Sequence, residues 1–204
     1  MKAGITVSGV GSAAAVPDRC VLTLGATTAA RTVGEAMTSV NERVTAVLSA
    51  LAEKGISGPD VRTSELTIWP DHDREGNQTG FRVRNIVRAE ISDISSVGDV
   101  VAAATAAAGN MAEMQGIAFH LKDTGPVEAE ARRLAWAAAQ AKAENLASLA
   151  GVRLGAPVSI AESVESSGGP MPRAKMMAIA EAAPVEAGSS EVRVEVQVRF
   201  ALAG

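Results

Sequence analysis

The sequence predicts an α+β fold, mainly antiparallel sheet with helices packed on one face. Three observations predict it. Apolar residues recur with period two in several runs, the clearest being Val192, Val194, Val196, Val198, Phe200 and Leu202 alternating with Glu191, Arg193, Glu195, Gln197 and Arg199. Runs at helical period stand between them, as in Val33, Met37, Val40, Val44, Val47, Leu48 and Leu51. Two strand runs also face each other across a polar tip, Asp71 to Gly80, which suits antiparallel neighbours.

Taken in order, the first strand is expected at Ala3–Gly9 and the second at Asp18–Ala30, joined by a small-residue turn. In it Gly9 and Gly11 let the backbone turn and Pro17-Asp18 sets the entry of the second strand. Thr32 and Glu35 have capping-box spacing and open a helix over Val33–Lys54, with Gly55 at its left-handed end. Val61–Trp69 is the next strand. In strict alternation it places Val61, Thr63, Glu65, Thr67 and Trp69 on one face, and Pro70 is expected to end it. Beyond the tip, Phe81, Val83, Asn85, Val87, Ala89 and Ile91 alternate with Arg82, Arg84, Ile86, Arg88 and Glu90, a half-exposed strand. A second helix is expected over Val97–Ala108, closed by Gly109-Asn110, and a strand over Met114–Leu121. Gly125-Pro126 starts a third helix ending at Gly151, with Val127, Ala131, Leu134, Ala135, Ala138, Leu146 and Leu149 as its buried stripe. Val158–Ser163 is a short strand, Ser166 to Ser190 a long connection, and Glu191–Leu202 the last strand.

From the second strand onward the order is strand-helix-strand-strand-helix-strand, which predicts a ferredoxin-like βαββαβ unit. A third helix and two C-terminal strands complete it, and the last strands are free to pair with the first. The length of 204 residues suits one unit over 1–204, or two interlocked subdomains, 31–121 and 1–30 with 122–204.

Composition narrows the function classes. Alanine occurs 40 times, aromatics make up 2% and tyrosine is absent, so close approach of elements must replace large ring contacts in the core. A net charge of −4 and five scattered aromatic side chains argue against nucleic-acid binding, which needs a basic face or a stacking platform. Uncharged runs such as Ala3–Pro17 and Val100–Ala112 are shorter than the ~20 apolar residues of a membrane-spanning helix. The N-terminus has Lys2 ahead of an apolar stretch, but Gly4, Thr6, Ser8, Gly9 and Gly11 make it read as a strand rather than a signal peptide, and no lipobox precedes Cys20. As it stands the chain is expected in the cytoplasm, and outside it if a leader has already been removed.

No catalytic constellation is visible, and the expectation is a protein without cofactor, metal or enzymatic chemistry. Asp71-His72-Asp73 offers one histidine and reads as a solvated hairpin tip. Gly9-Val-Gly11 lacks the third glycine and following helix of a dinucleotide loop. Cys20 lies in a strand pattern and reads as a small buried hydrophobe, with a reactive redox thiol as the alternative. Asn85 and His120 are the polar handles for the other enzyme or ligand-binding reading, a small molecule in a helix–sheet cleft. Met171, Met176, Met177 and Ile179 are unusually apolar for a connection. They either tuck back onto the core or contact another subunit.

Several stretches together resemble the SIMPL-domain family of bacterial proteins. These are Val7-Ser-Gly-x-Gly11 with Pro17-Asp18, Gly55-Ile56, Asp60-Val-Arg-Thr63 with Leu66, and Phe81 to Asn85. Gly116-Ile117-x-Phe119, the helix Glu128–Ala150 with Lys142-Ala143, and the strand Val192–Leu202 continue the match. Members are also described as oxidative-stress defence or kinase-interacting proteins. The resemblance implies a non-enzymatic, self-associating protein, a homo-oligomer with a role in envelope or stress physiology. Members are typically exported, a pattern from which the missing export signal departs.

Overall fold

The computed structural model describes residues 3–166 and 188–203, so Met171, Met176, Met177 and Ile179 lie outside the described residues. The elements are β1 (Gly4–Ala15), β2 (Arg19–Ala30), α1 (Val33–Glu53), β3 (Val61–His72), β4 (Gln78–Ile91), α2 (Val97–Ala108), β5 (Ala112–His120), α3 (Gly125–Leu149), β6 (Arg153–Ser166) and β7 (Ser190–Ala203). The fold is α+β, with all neighbouring strands antiparallel. The described residues form two compact units, 18–120 and 3–17 with 121–166 and 188–203.

In the first of these units the sheet order is β3-β4-β2-β5. Inserting β4 between β2 and β3 is the split βαβ of a ferredoxin-like unit, as the element order predicts. Thr32 Oγ1 accepts from Glu35 N at 3.3 Å and Glu35 Oε2 from Thr32 N at 3.2 Å, which completes the capping box of α1. Ala36, Val40, Val44, Val47 and Leu51 then form one buried stripe. It shares a core with Val97, Val100 and Ala104 of α2 and with Cys20, Leu22, Leu24, Val83 and Val87 of the sheet.

Three details of this sheet depart from simple alternation. Pro70 does not end β3; it sits inside the strand opposite Phe81. β3 is an edge strand, where a residue without an N–H leaves the ladder intact if that side faces outward. A bulge at Ser64 reverses the alternation, so Arg62, Glu65, Thr67 and Trp69 face away from the helices while Leu66 and Ile68 take the helix side. The opposite edge strand is bulged too: Thr23 pairs with Gly116 and Leu24 with Met114, leaving Gln115 outside the register. Gly116, at φ 143°, takes a backbone conformation open to glycine alone.

Asn85 faces the helices beside the buried Ala26, and its Oδ1 is buried with no hydrogen-bond partner among the described residues. Asn85→Leu should therefore raise stability by about 1 kcal/mol in a urea titration. A loss of stability would mean that Oδ1 is bonded after all.

In the other unit the sheet order is β1-β7-β6, with α3 on one face. β1 is longer than its residues suggest, because Ser12–Ala15, expected as a turn, pairs with β7 down to Ala15–Ser190. β1 and β2 thus belong to different sheets and are not a hairpin. Gly9 and Gly11, expected to turn the backbone, are extended residues inside β1 with no positive φ. Their role is proximity: a side chain on either would collide with the backbone of Ala131, Ala135 or Ala139 of α3. The buried stripe of α3 is accordingly Ala131, Ala135, Ala139, Ala143 and Ala147, whereas Leu146 and Leu149, expected inside, are exposed. A leucine cannot fit where helix and strand backbones nearly touch. β6 runs well past the expected Val158–Ser163 and forms a long edge strand.

Candidate functional site

The face of the four-stranded sheet that turns away from α1 and α2 carries most of the polar geometry in the described residues. Arg84 on β4 is its centre. Its guanidinium meets Glu65 of β3 at 3.3 Å and Glu113 of β5 at 2.7 Å, and stands 5.3 Å from the centroid of the Trp69 ring. On β2, between β4 and β5, the residue paired with Glu113 is Gly25, which has no side chain. Gln115, turned out by the bulge, donates from Nε2 to Glu65 Oε2 at 3.2 Å. Side chains of both edge strands therefore meet over the sheet, and Ile86 between them is fully buried.

The charges follow this arrangement. For Glu65, desolvation is the largest effect and pushes the carboxyl up, but hydrogen bonds from Thr67, Gln115 and Arg84 and the charge of Arg84 outweigh it and hold the group low. Arg84 is also desolvated, yet Glu113 and Glu65 raise its pKa above the ordinary guanidinium value. Arg82 is bound to Asp71 through Nε and Nη2 at 3.1 and 2.8 Å. These arginines are committed to partners.

Beside this lattice lies a depression of about 300 Å³ lined by Val21, Thr23, Arg88, Gln115, Gly116, Ile117 and Ala118. A small cavity of about 40 Å³ adjoins it on the other side of Arg88, between Pro59, Asp60, Arg62 and Glu90. The other unit carries an open groove of about 660 Å³ between α3 and β1, lined by Val7, Ser8, Ala141, Lys142, Asn145 and Leu146. Lys142 Nζ donates to the Ser8 carbonyl there at 2.8 Å.

The side chains singled out from sequence are dispersed. Cys20 is fully buried near the start of β2, and burial pushes its thiol up to about 11. His120 ends β5 opposite Arg19, its carbonyl accepts from Asp18 N at 3.2 Å, and it lines none of these cavities. His72 is exposed. Its neighbours Asp71 and Asp73 have separate tasks, one holding Arg82 and the other accepting from the N–H groups of Glu75 and Asn77, both at 2.9 Å. Those turn contacts, led by Asn77, hold the Asp73 carboxyl below its ordinary value. Among the described residues no three His, Cys, Asp or Glu side chains gather as a metal ion would require. Arg62, Arg84, Arg88 and Gln115 were not foreseen as a group. Their alternation was legible, but two bulges decide which of them share a face.

Comparison with known proteins decides the family. The family model SIMPL, described as a protein of unknown function (DUF541), matches residues 5–200. The chain belongs to the SIMPL family. Relatives include the 26 kDa periplasmic immunogenic proteins of Brucella melitensis and Brucella abortus, each 34% identical over 97% of this chain and 84% of theirs. A more distant SIMPL relative is the uncharacterized protein YggE of Edwardsiella ictaluri, 27% identical over 88% of this chain and 75% of its own. Two of the segments that carried the resemblance line the cavities on either side of Arg88: Asp60 and Arg62 the smaller one, Gly116, Ile117 and Ala118 the larger. No described helix of this SIMPL protein is long and apolar enough to cross a membrane.

Proposed function

We propose that this SIMPL protein is a non-enzymatic binding and assembly protein outside the cytoplasm, which associates with further copies of itself in envelope or oxidative-stress physiology. The observation that carries the reading is β6. It is a 14-residue edge strand whose outer side meets no other described strand. It also exposes Val158, Ile160 and Val164, with Ile160 at 59%. A long apolar edge is a template for strand addition, and solitary proteins blunt such edges with charge, proline or bulges. In β6 the proline and the bulges fall at or before Val158, and Glu162 is held by Arg132 at 2.7 Å. From Ile160 to Val164 the strand is therefore regular, with Glu165 as the charge beyond it. A second copy is the occupant favoured by the antiparallel geometry, since one edge can pair with itself across a twofold axis. The extracytoplasmic compartment is supported by the Brucella relatives, which are named as periplasmic proteins.

Light scattering and native mass measurement test this directly. Wild type should run as an oligomer, and Ile160→Lys with Val164→Lys should shift it to monomer without loss of helical circular dichroism. The pair Met176→Ser and Met177→Ser tests whether the methionine segment contributes. A strict monomer at high concentration would remove the assembly reading. The groove beside Lys142 and Asn145 favours a second reading, capture of a small molecule between helix and sheet. A broad thermal-shift screen in which no ligand responds, or responds equally in Lys142→Met, counts against it.

A further inference from the structure

On the polar face of the four-stranded sheet one pair of charges is left uncompensated among the described residues. Arg62 of β3 and Arg88 of β4 stand directly opposite each other in an antiparallel pair, so their side chains leave the same face side by side. Like charges in that position repel and cost stability. Every other arginine on this face has a carboxylate: Arg82 has Asp71, Arg84 has Glu65 and Glu113, and Arg19 has Glu90 at 3.7 Å. Neither Arg62 nor Arg88 forms an ion pair among the described residues. Both are exposed, and both line the small cavity that also contains Asp60 and Glu90. Glu90 is already engaged by Arg19, which leaves Asp60 as the one rim carboxylate to compete.

The row continues across the sheet. Arg88 is opposite Thr23 on β2, and Thr23 is opposite Gly116 on β5. Two guanidinium groups, a hydroxyl and a position without a side chain therefore lie in line over four strands. Guanidinium forks match the oxygens of phosphate and carboxylate, and two of them match a dianion best. Next to Arg88 the 300 Å³ depression has Val21 and Ala118 in its lining, an apolar pair on the same face as Thr23. That space suits a small organic group attached to the anion.

We propose that Arg62 and Arg88, with Thr23, form a binding site for a phosphomonoester, the dianion held between the two guanidinium groups and its organic substituent lying in the depression beside Gly116. The unpaired charges are then the mark of a recognition site, where a local rule of stability yields to binding.

The test uses the full chain and two probes, inorganic phosphate and phenyl phosphate, each compared with sodium chloride at equal ionic strength. Both phosphates should raise the Tm of the wild type above chloride, with phenyl phosphate acting at roughly tenfold lower concentration because its ring is buried. Arg62→Gln and Arg88→Gln should each lose that response, while Arg82→Gln keeps it. Without anion, the two glutamine variants should melt no lower than wild type, since they relieve repulsion. A soluble phosphomonoester and a phosphomonoester lipid headgroup share this chemistry. Cosedimentation with phosphatidylcholine vesicles, with and without phosphatidate, separates them, and binding in either arm supports the site. Equal responses to phosphate and chloride together with no vesicle binding would overturn it. So would a phosphate response that survives both substitutions, or a lower anion-free Tm in Arg88→Gln, which would make the arginine a structural element. Equal action of the two phosphates would remove the depression from the site.

Discussion

Gly9→Ala or Gly11→Ala should destabilise the unit covered by α3 by about 3 kcal/mol, and valine at either position should prevent that unit from folding. A Cβ on Gly9 would stand 2.8 Å from the Cβ of Ala139, and one on Gly11 2.7 Å from the Cβ of Leu134, with helix backbone nearer still. Backbone cannot rotate away as a flexible side chain does, so the whole helix would have to lift off the sheet. Lifting it would separate Ala131, Ala135, Ala139 and Ala143 from Val194, Val196 and Val198, the centre of that core. Gly34→Ala is the contrasting case. Nothing lies within 4 Å of the added atom, so it should stabilise by about 0.4–1 kcal/mol through the unfolded chain. Urea titrations of single-tryptophan variants separate the units, because Trp136 is on α3 and Trp69 on β3. An unchanged midpoint for Gly11→Ala on the Trp136 signal would disprove the close-approach role.

Cys20 should be labelled by a thiol reagent at least about a thousandfold more slowly in the native protein than in urea, since modification must wait for opening of the core. It is fully buried, and burial raises the pKa of its thiol from 9.0 to about 11. The sign of the accompanying pH effect follows. The native thiol keeps its proton while the unfolded one has lost it, so the contribution is fully present below pH 9.0 and is lost as pH rises through about 11. The loss is on the order of 2 kcal/mol. Cys20→Ala should flatten this part of the stability profile. Rapid labelling under native conditions would instead restore the thiol as a redox sensor.

Most of the secondary structure was legible because it is locally encoded. The capping box at Thr32 and Glu35, Gly55 beyond α1, and the alternation of Val192 to Leu202 all act within a few residues. The polar face was not legible as a site. A bulge at Ser64 places Arg62 with Glu65 and Trp69, and another at Gln115 aims that amide at Glu65. An extra residue in a ladder depends on the partner strand, which periodicity does not contain. The buried stripe of α3 was misjudged for a similar reason. Leucine is the stronger hydrophobe, but the space left by Gly9 and Gly11 admits only alanine.

The amino-acid sequence by itself determined the α+β class, the order of the elements, the ferredoxin-like unit and membership of the SIMPL family, since each depends on patterns within or between neighbouring segments. Tertiary structure alone decided that β1 and β2 part into different sheets, that two glycines serve proximity rather than turning, and which arginines find partners. Those outcomes depend on register and on the distance between backbones. Both are set when remote segments meet, and no local pattern records them.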